Sequence, residues 1–151
     1  MLTNATSSGL RELENLYTLL PYFVRSGFTP FLPEFDSGVD FIAYREHRSE
    51  DGGDLLLKVQ LKGRWTIDQK YLRRAIVIAF RDGDDWFVIP HDEMVAFATE
   101  AGYTRTASWQ AGTYSVGTMG AALRHRNERW RLSPDTEPNE QIWQRLRQGQ
   151  S

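Results

Sequence analysis

Cysteine is absent from this sequence of 151 residues. Its absence excludes a disulfide-stabilised scaffold, a zinc site built from thiolates and a cysteine nucleophile. The sequence also lacks any run of 18 apolar residues, which a membrane-spanning helix would require, and its first residues lack the basic-then-apolar pattern of a signal peptide. We therefore expect a cytoplasmic protein with no membrane partner.

Phosphate-binding glycine motifs are missing as well. The chain contains neither a P-loop nor a dinucleotide-binding fingerprint, so we expect no nucleotide cofactor. Its three histidines, His47, His91 and His125, are scattered and show no metal-binding spacing. These absences direct attention to carboxylate, amide and basic side chains as the carriers of any chemistry.

Arginine is abundant and lysine is scarce. Of the 18 basic residues only three are lysines, Lys58, Lys62 and Lys70. The net charge is −2, but the first 60 residues carry an excess of acidic side chains and the last 51 an excess of basic ones. Because the arginine fork matches phosphate geometry, the basic second part is compatible with a phosphate-binding face.

The first part of the chain is predicted to form one helix followed by strands. Apolar residues recur at helical spacing from the candidate N-caps Ser7 and Ser8 as far as Gly27, and Pro21 is predicted to kink or end this helix. Alternating or continuous apolar segments predict strands, with hairpin turns between two of the pairs. The predicted strands are 28–32, 39–44, 54–61, 75–80 and 86–90, and the predicted turns are 48–53 and 81–85.

The last third is predicted to be mainly helical. A helix capped by Asp92 should end at Gly102, and a final amphipathic helix contains Ile142, Trp143 and Leu146. The Asp92-capped helix is predicted over 93–100, and the other predicted elements are a strand over 113–116 and a helical piece over 119–126.

These elements predict an α/β (α+β) fold in which helices flank a mixed central β-sheet. The chain length favours a single domain over 1–151. We expect its core at about 8–100 and a C-terminal helical extension at about 117–151.

Three polar residues fall at one end of two predicted strands. Asp40 lies where one strand begins, and Gln60 and Lys62 lie two apart near the end of the next, so strand alternation puts these two on one face. If the strands pair through the 48–53 loop, Asp40 and Gln60 meet at the same end of the sheet. A carboxylate and an amide oxygen suit Mg²⁺, and a neighbouring lysine can orient a water or offset charge on a phosphate.

The residues around this triad resemble the PD-(D/E)xK nuclease superfamily. The matching stretches are Glu34–Ala43 and Leu57–Lys62. Asp40 stands at the position of the motif's Asp, Gln60 at that of its Glu or Asp, and Lys62 at that of its Lys. The Gln-x-Lys form occurs in certain restriction-endonuclease-like and intron-encoded homing nucleases. The resemblance covers about residues 8–90 and implies a restriction-endonuclease-like core.

The resemblance implies a metal-dependent endonuclease that hydrolyses DNA. The catalytic residues would be Asp40, Gln60, Lys62 and Glu14. The cofactor would be Mg²⁺, with Mn²⁺ as the alternative, held at Asp40, Gln60, Leu61 and Glu14.

Two departures from the family pattern concern this metal site. No proline precedes Asp40, and Gln60 replaces a carboxylate. Family members with this glutamine often take a glutamate from the first helix. We expect Glu14 to fill that role, with Glu12 and Asp36 as alternative carboxylates.

DNA is the expected partner, and basic side chains after the motif would hold its phosphates. Because cleavage of both strands needs two sites, the resemblance also implies a homodimer or higher homo-oligomer. The candidate phosphate-binding residues are Arg64, Lys70, Arg73, Arg74, Arg124, Arg126, Arg129 and Arg131.

Two other interpretations remain open. Asp40 suits a turn cap, and Gln60 and Lys62 suit polar positions that protect an edge strand from pairing. The chain also suits a catalytically inactive nuclease-fold protein, acting as a binding or assembly module of a defence or mobile-element system. The acidic first part of the chain and the missing carboxylate at Gln60 favour this second alternative.

Overall fold

The computed structural model describes residues 4–34, 38–46 and 53–149. In these ranges helices flank a mixed five-stranded β-sheet, as the sequence predicts, and a second sheet has two strands. The helices are α1 (Asn4–Arg25), α2 (His91–Ala101), α3 (Ala107–Gln110), α4 (Ala121–Asn127) and α5 (Thr136–Gln148). The strands are β1 (Thr29–Phe31), β2 (Phe41–Arg45), β3 (Leu55–Lys62), β4 (Trp65–Asp68), β5 (Ile76–Asp82), β6 (Asp85–Pro90) and β7 (Thr113–Val116).

The main sheet has the order β1-β2-β3-β5-β6. Strands β1, β2 and β3 pair antiparallel, β3 and β5 pair parallel, and β5 and β6 form an antiparallel hairpin. Since parallel neighbours need a crossover, the chain leaves β3 through β4 and a 3₁₀ turn at Gln69–Tyr71 before it enters β5. The triad therefore lies where β3 ends and this crossover begins.

The strands that the sequence predicts are present in the described residues, and their burial follows the pattern of their apolar side chains. Leu55, Leu57 and Val59 of β3 are buried, whereas Lys58, Gln60 and Lys62 are half-buried. Residues 76–80 of β5 are all buried, as is typical of a strand covered on both faces.

Helix α1 begins earlier than predicted, whereas its termination at Gly27 is as predicted. It begins at Asn4, before the predicted caps Ser7 and Ser8, since no proline or glycine interrupts 4–8. Of the two alternatives predicted for Pro21, a kink or an end, the end is wrong, because the helix continues through Pro21 to Arg25. The last turn is fixed by a Schellman motif in which Phe28 N–H donates to Phe23 O (3.0 Å), with Gly27 at φ 89°.

Aromatic side chains pack the C-terminal helix α5 against α1 and β2. The ring of Phe23 lies 5.2 Å from that of Phe41 and 5.0 Å from that of Trp143, which also contacts Phe28 at 5.0 Å. These contacts fix α1 against β2 and α5. Buried rings of this size contribute strongly to the hydrophobic stabilisation of the core.

An ion pair with a buried arginine reinforces the same junction. Arg45 is 3% exposed and pairs with Glu140 through two hydrogen bonds of 2.7 and 3.2 Å. Its guanidinium also donates to Ser26 O (3.2 Å) and lies 5.0 Å above the Phe28 ring. The pair links β2 and the end of α1 to α5.

The prediction that Asp92 caps α2 is wrong: Pro90 occupies the N-cap without a side-chain hydrogen bond, and Asp92 lies in the first turn. Strand β4, which the sequence does not predict, pairs antiparallel with β7. Among the described residues, no helix is long and apolar enough to span a membrane.

Candidate active site

Asp40 is fixed at the point where β2 meets β3. Its backbone N–H donates to Val59 O (2.8 Å), and its carboxylate Oδ2 accepts a hydrogen bond from the backbone N–H of Leu61 (2.7 Å). Because Phe41 pairs with Val59, the register places Asp40 opposite Gln60. The Asp40 carboxylate, and not the β2 backbone, is thus the hydrogen-bond partner of β3 at Leu61, and this bond fixes the orientation of the carboxylate.

Gln60 carries a buried amide oxygen with an unsatisfied hydrogen-bonding capacity. Its Oε1 has no hydrogen-bond partner within the described residues, and its Nε2 lies 3.4 Å from Leu61 O. A buried acceptor without a partner costs about 1–3 kcal/mol. A cation or a water at this oxygen would recover that cost.

A cleft of about 630 Å³ brings the predicted residues together. Asp40, Gln60, Leu61 and Lys62 line it from the sheet, and Glu12 lines it from α1. Glu34 adds a third carboxylate from the segment after β1. We name this the acidic cleft, because its three carboxylates outnumber its single lysine.

The two helix glutamates lie in different places. Glu12 shares one side of α1 with Leu16, Leu19 and Phe23, at spacings of four, three and four residues, and this side packs toward the sheet. Glu14 is absent from the acidic cleft and lines the neighbouring one. Both glutamates are exposed. The alternative acid Asp36 lies outside the described residues.

Lys62 extends over a buried aromatic ring. Its Nζ lies 5.3 Å from the ring centroid of Tyr71, and Lys70 Nζ lies 5.2 Å from the same ring. Tyr71 is 1% exposed, and burial raises the pKa of its hydroxyl. The ring limits where the Lys62 ammonium can rest, and no hydrophobic periodicity in the sequence indicates this contact.

The approach to Asp40 depends on Gly38. This glycine has φ 78°, and a Cβ built on it would lie 3.3 Å from the Arg74 guanidinium and 3.6 Å from the Tyr71 ring. A larger residue would need an unfavourable backbone conformation and a small shift of the Arg74 guanidinium. The positive φ therefore favours glycine at position 38, two residues before Asp40.

His91 lies behind Tyr71 in a neutral form. Its Nε2 accepts a hydrogen bond from the Asp68 N–H (3.1 Å), so the proton of the neutral ring is on Nδ1. The side chain is fully buried, and burial lowers the pKa of His91 from 6.5 to about 4. Its ring packs edge-on to Tyr71 with centroids 5.6 Å apart.

The predicted phosphate-binding residues do not form one face. Arg124 is hydrogen-bonded to Asp82 (2.6 Å) and to Asp85, and Arg131 is paired with Glu128 (2.5 Å). The others are dispersed: Arg64 near the triad, Lys70 and Arg74 beside Tyr71, Arg73 exposed after the 3₁₀ turn, Arg126 over the Phe97 ring and Arg129 over the Trp130 ring.

The described residues contain no group of three histidine, aspartate or glutamate side chains placed to hold a metal ion. The side-chain oxygen donors of the acidic cleft include the Asp40 carboxylate and the Gln60 amide from the sheet, and the Glu12 and Glu34 carboxylates line the same cleft. This mixed set fits a hard cation that keeps several waters, such as Mg²⁺. The unpartnered Gln60 Oε1 is the observation that favours the fit.

No family model, curated protein or solved structure matches this chain. The resemblance to the PD-(D/E)xK nucleases therefore rests on the motif residues alone. Function has to be inferred from the contacts of those residues.

Proposed function

We propose that the chain is a metal-dependent endonuclease that hydrolyses DNA phosphodiester bonds with a restriction-endonuclease-like core. The observation that carries the proposal is the arrangement at the end of β3. Asp40 is held by the Leu61 N–H directly opposite Gln60, whose buried amide oxygen has no partner among the described residues, and Lys62 lines the same cleft.

Asp40, Gln60 and Glu12 are the residues that would hold Mg²⁺ or Mn²⁺. Glu12 takes the place that the sequence suggested for Glu14, because Glu12 lines the cleft with the other two. When bound, the cation supplies charge neutralisation at the phosphate and makes a water more acidic. The hydrogen bond from Leu61 keeps the Asp40 carboxylate in one orientation before any ligand arrives.

Lys62 would position the attacking water or offset negative charge on the phosphate in the transition state. Its ammonium lies over the Tyr71 ring, and the residue lines the same cleft as Asp40. A side chain that is already restrained loses less entropy when it acts on substrate. Tyr71 would in this way position Lys62.

We infer a homodimer or higher homo-oligomer, since each chain carries one such cleft and a duplex has two strands. The exposed side of α1 supports this inference. Leu10, Leu13, Tyr17 and Val24 lie along one side of the helix and are 50%, 45%, 65% and 53% exposed. A contiguous apolar surface of this kind is typical of protein interfaces.

Cleavage of supercoiled plasmid with Mg²⁺, with Mn²⁺ and with chelator tests the activity. The informative variant is Asp40→Asn, which keeps an oxygen for the Leu61 N–H but removes the charge. We expect metal-dependent nicking in the wild type and a loss of at least about 100-fold in Asp40→Asn, because the variant lacks an anionic ligand. Lys62→Met should also lose cleavage while DNA binding changes little.

Asp84→Asn is the matched control, since it removes the same charge from a fully exposed carboxylate in the β5–β6 turn. It should cleave like the wild type. Calorimetric titration with Mn²⁺ separates the proposal from the inactive-module alternative. Mn²⁺ binding that disappears in Asp40→Asn supports the metal site, whereas absence of both Mn²⁺ binding and cleavage in the wild type contradicts the endonuclease proposal.

A further inference from the structure

A second cleft of about 740 Å³ adjoins the acidic cleft. Four cationic side chains line it, together with the acids Glu14 and Asp82. The Asp82 carboxylate already accepts a hydrogen bond from Arg124 (2.6 Å), so its charge is compensated from outside the cleft. We name this the basic cleft. Its cations are Arg11, Lys62, Arg64 and Arg81.

Two of these arginines are available for a ligand. Arg11 and Arg64 are exposed and make no side-chain ion pair or hydrogen bond within the described residues. The Arg64 guanidinium extends toward the residue that follows β7, since its Nη1 lies 3.9 Å from the position that a Cβ on Gly117 would take. Unpaired arginines that border one concave surface attract an anion more strongly than arginines already paired with carboxylates.

Asn15 and Trp86 restrain the side chain of Arg81. Its Nη1 donates to Asn15 Oδ1 (3.2 Å), and its guanidinium lies 5.6 Å from the Trp86 ring. Its ion pair with Asp84 is long, at 3.7 Å, and the Asp84 side chain is fully exposed. The contacts with Asn15 and Trp86 orient Arg81. Asp84 compensates little of the Arg81 charge, because solvent screens the ion pair.

The rest of the wall suits close approach by a phosphate. Gly63, Gly83 and Gly117 border the basic cleft without side chains, so their backbones are accessible. Thr66 and Ser115 face each other across the β4–β7 pair with their hydroxyl oxygens 2.9 Å apart. Small polar residues and glycines beside arginines are typical of surfaces that contact nucleic-acid backbones.

The two clefts meet at a shared boundary. Asn15, Lys62 and Gly63 line both of them. Across this boundary the charge changes sign, since carboxylates predominate on one side and guanidinium groups on the other. A polyanion that presented one phosphate to the acidic cleft through a cation would place a neighbouring phosphate among the arginines.

We propose that the basic cleft binds a backbone phosphate of DNA next to the phosphodiester that is cleaved. This inference rests on the proposed function. It goes further because it states that the DNA backbone runs from the acidic cleft into the basic cleft. Arg11 and Arg81 join Arg64 as phosphate-binding residues. The cluster at Arg124 and Arg131 contributes less, because its charges are paired internally.

The test is the salt dependence of DNA binding. A fluorescently labelled duplex is titrated with protein in the presence of chelator, so that no cleavage occurs, at several salt concentrations. The double variant Arg11→Gln/Arg64→Gln should weaken binding and reduce the slope of log K against log salt by about 2, one for each lost phosphate contact. Thermal unfolding and circular dichroism of the variant confirm that it folds.

The double variant Arg25→Gln/Arg105→Gln is the matched control. It removes the same charge from exposed residues that line neither cleft, and it should leave the slope within about 0.5 of the wild type. If both double variants bind like the wild type, or lose the same slope, the basic cleft is not a phosphate site.

The two proposals fail in different ways. A wild type that cleaves plasmid and binds duplex, with the Arg11→Gln/Arg64→Gln slope unchanged, overturns the basic cleft alone. A wild type that neither binds duplex in a salt-dependent way nor cleaves it overturns the endonuclease and, with it, this inference.

Discussion

Acidification should destabilise this protein through His91 in particular. The imidazole is fully buried, accepts a hydrogen bond from the Asp68 N–H at 3.1 Å and packs against the Tyr71 ring. Protonation would place a charge in this apolar surrounding and would convert the accepting Nε2 into a donor facing another donor. The perturbation is therefore a decrease in pH from 7 to 5, applied to the wild type and to His91→Gln.

The size of the effect follows from the change in pKa. Burial lowers the pKa of His91 from 6.5 to about 4, although the nearby carboxylates of Asp92 and Asp68 act in the opposite direction. The folded protein binds the proton more weakly than the unfolded chain. The part of the unfolding free energy that comes from neutral His91 is therefore fully present above pH 6.5 and is lost as the pH falls toward 4. The loss amounts to about 2 kcal/mol at pH 5 and about 3 kcal/mol below pH 4.

Urea unfolding at pH 7 and at pH 5 measures this loss. His91→Gln cannot titrate, so its free energy of unfolding should fall about 2 kcal/mol less than that of the wild type between the two pH values. His125→Gln is the matched control, because His125 is exposed on α4, and it should follow the wild type. Equal losses in the wild type and His91→Gln would refute the assignment of the acid sensitivity to His91.

Two predictions concern the proposed site and assembly. Glu12→Gln should weaken Mn²⁺ binding and reduce cleavage about tenfold or more, whereas Glu14→Gln should change both by less than about threefold, because Glu12 lines the acidic cleft and Glu14 does not. Equal effects of the two substitutions on calorimetric Mn²⁺ binding would contradict this. Tyr17→Lys should shift the protein toward the monomer mass in sedimentation velocity, since it places a charge in the apolar side of α1. An unchanged mass would contradict an interface there.

The sheet could be predicted because its strands carry strong local signals. The continuous apolar segment now in β5 and the turn at Asp82–Asp85 specify the β5–β6 hairpin without reference to the rest of the chain. The start of α2 could not be predicted as well. A cap was expected at Asp92, but Pro90 precedes the helix at φ −57°, so Asp92 falls in the first turn, where its charge still favours the helix dipole.

Strand alternation predicts that Gln60 and Lys62 share one face, as observed. The sequence favoured Glu14 as the carboxylate from α1, whereas it is Glu12 that lines the acidic cleft. The rotation of α1 decides which glutamate lines the cleft, and Leu19 and Phe23 set this rotation by packing into the core. The helical periodicity of the sequence does indicate Glu12, because Glu12 lies seven residues before Leu19 and so shares its side of the helix. The Arg124 pairs carry no comparable signal, because Asp82 and Asp85 lie about forty residues away.

Glutamine at position 60 has an electrostatic consequence for the proposed site. The acidic cleft already contains Glu12, Glu34 and Asp40 against the single charge of Lys62. A carboxylate in place of Gln60, whose Oε1 is buried, would add a further anion in a desolvated position, at a cost of several kcal/mol in the absence of a cation. A neutral amide keeps that cost at about 1–3 kcal/mol, the cost of an unpaired acceptor. We infer that the amide favours stability of the metal-free fold over affinity for the cation, and that the carboxylates of Asp40 and Glu12 together set that affinity.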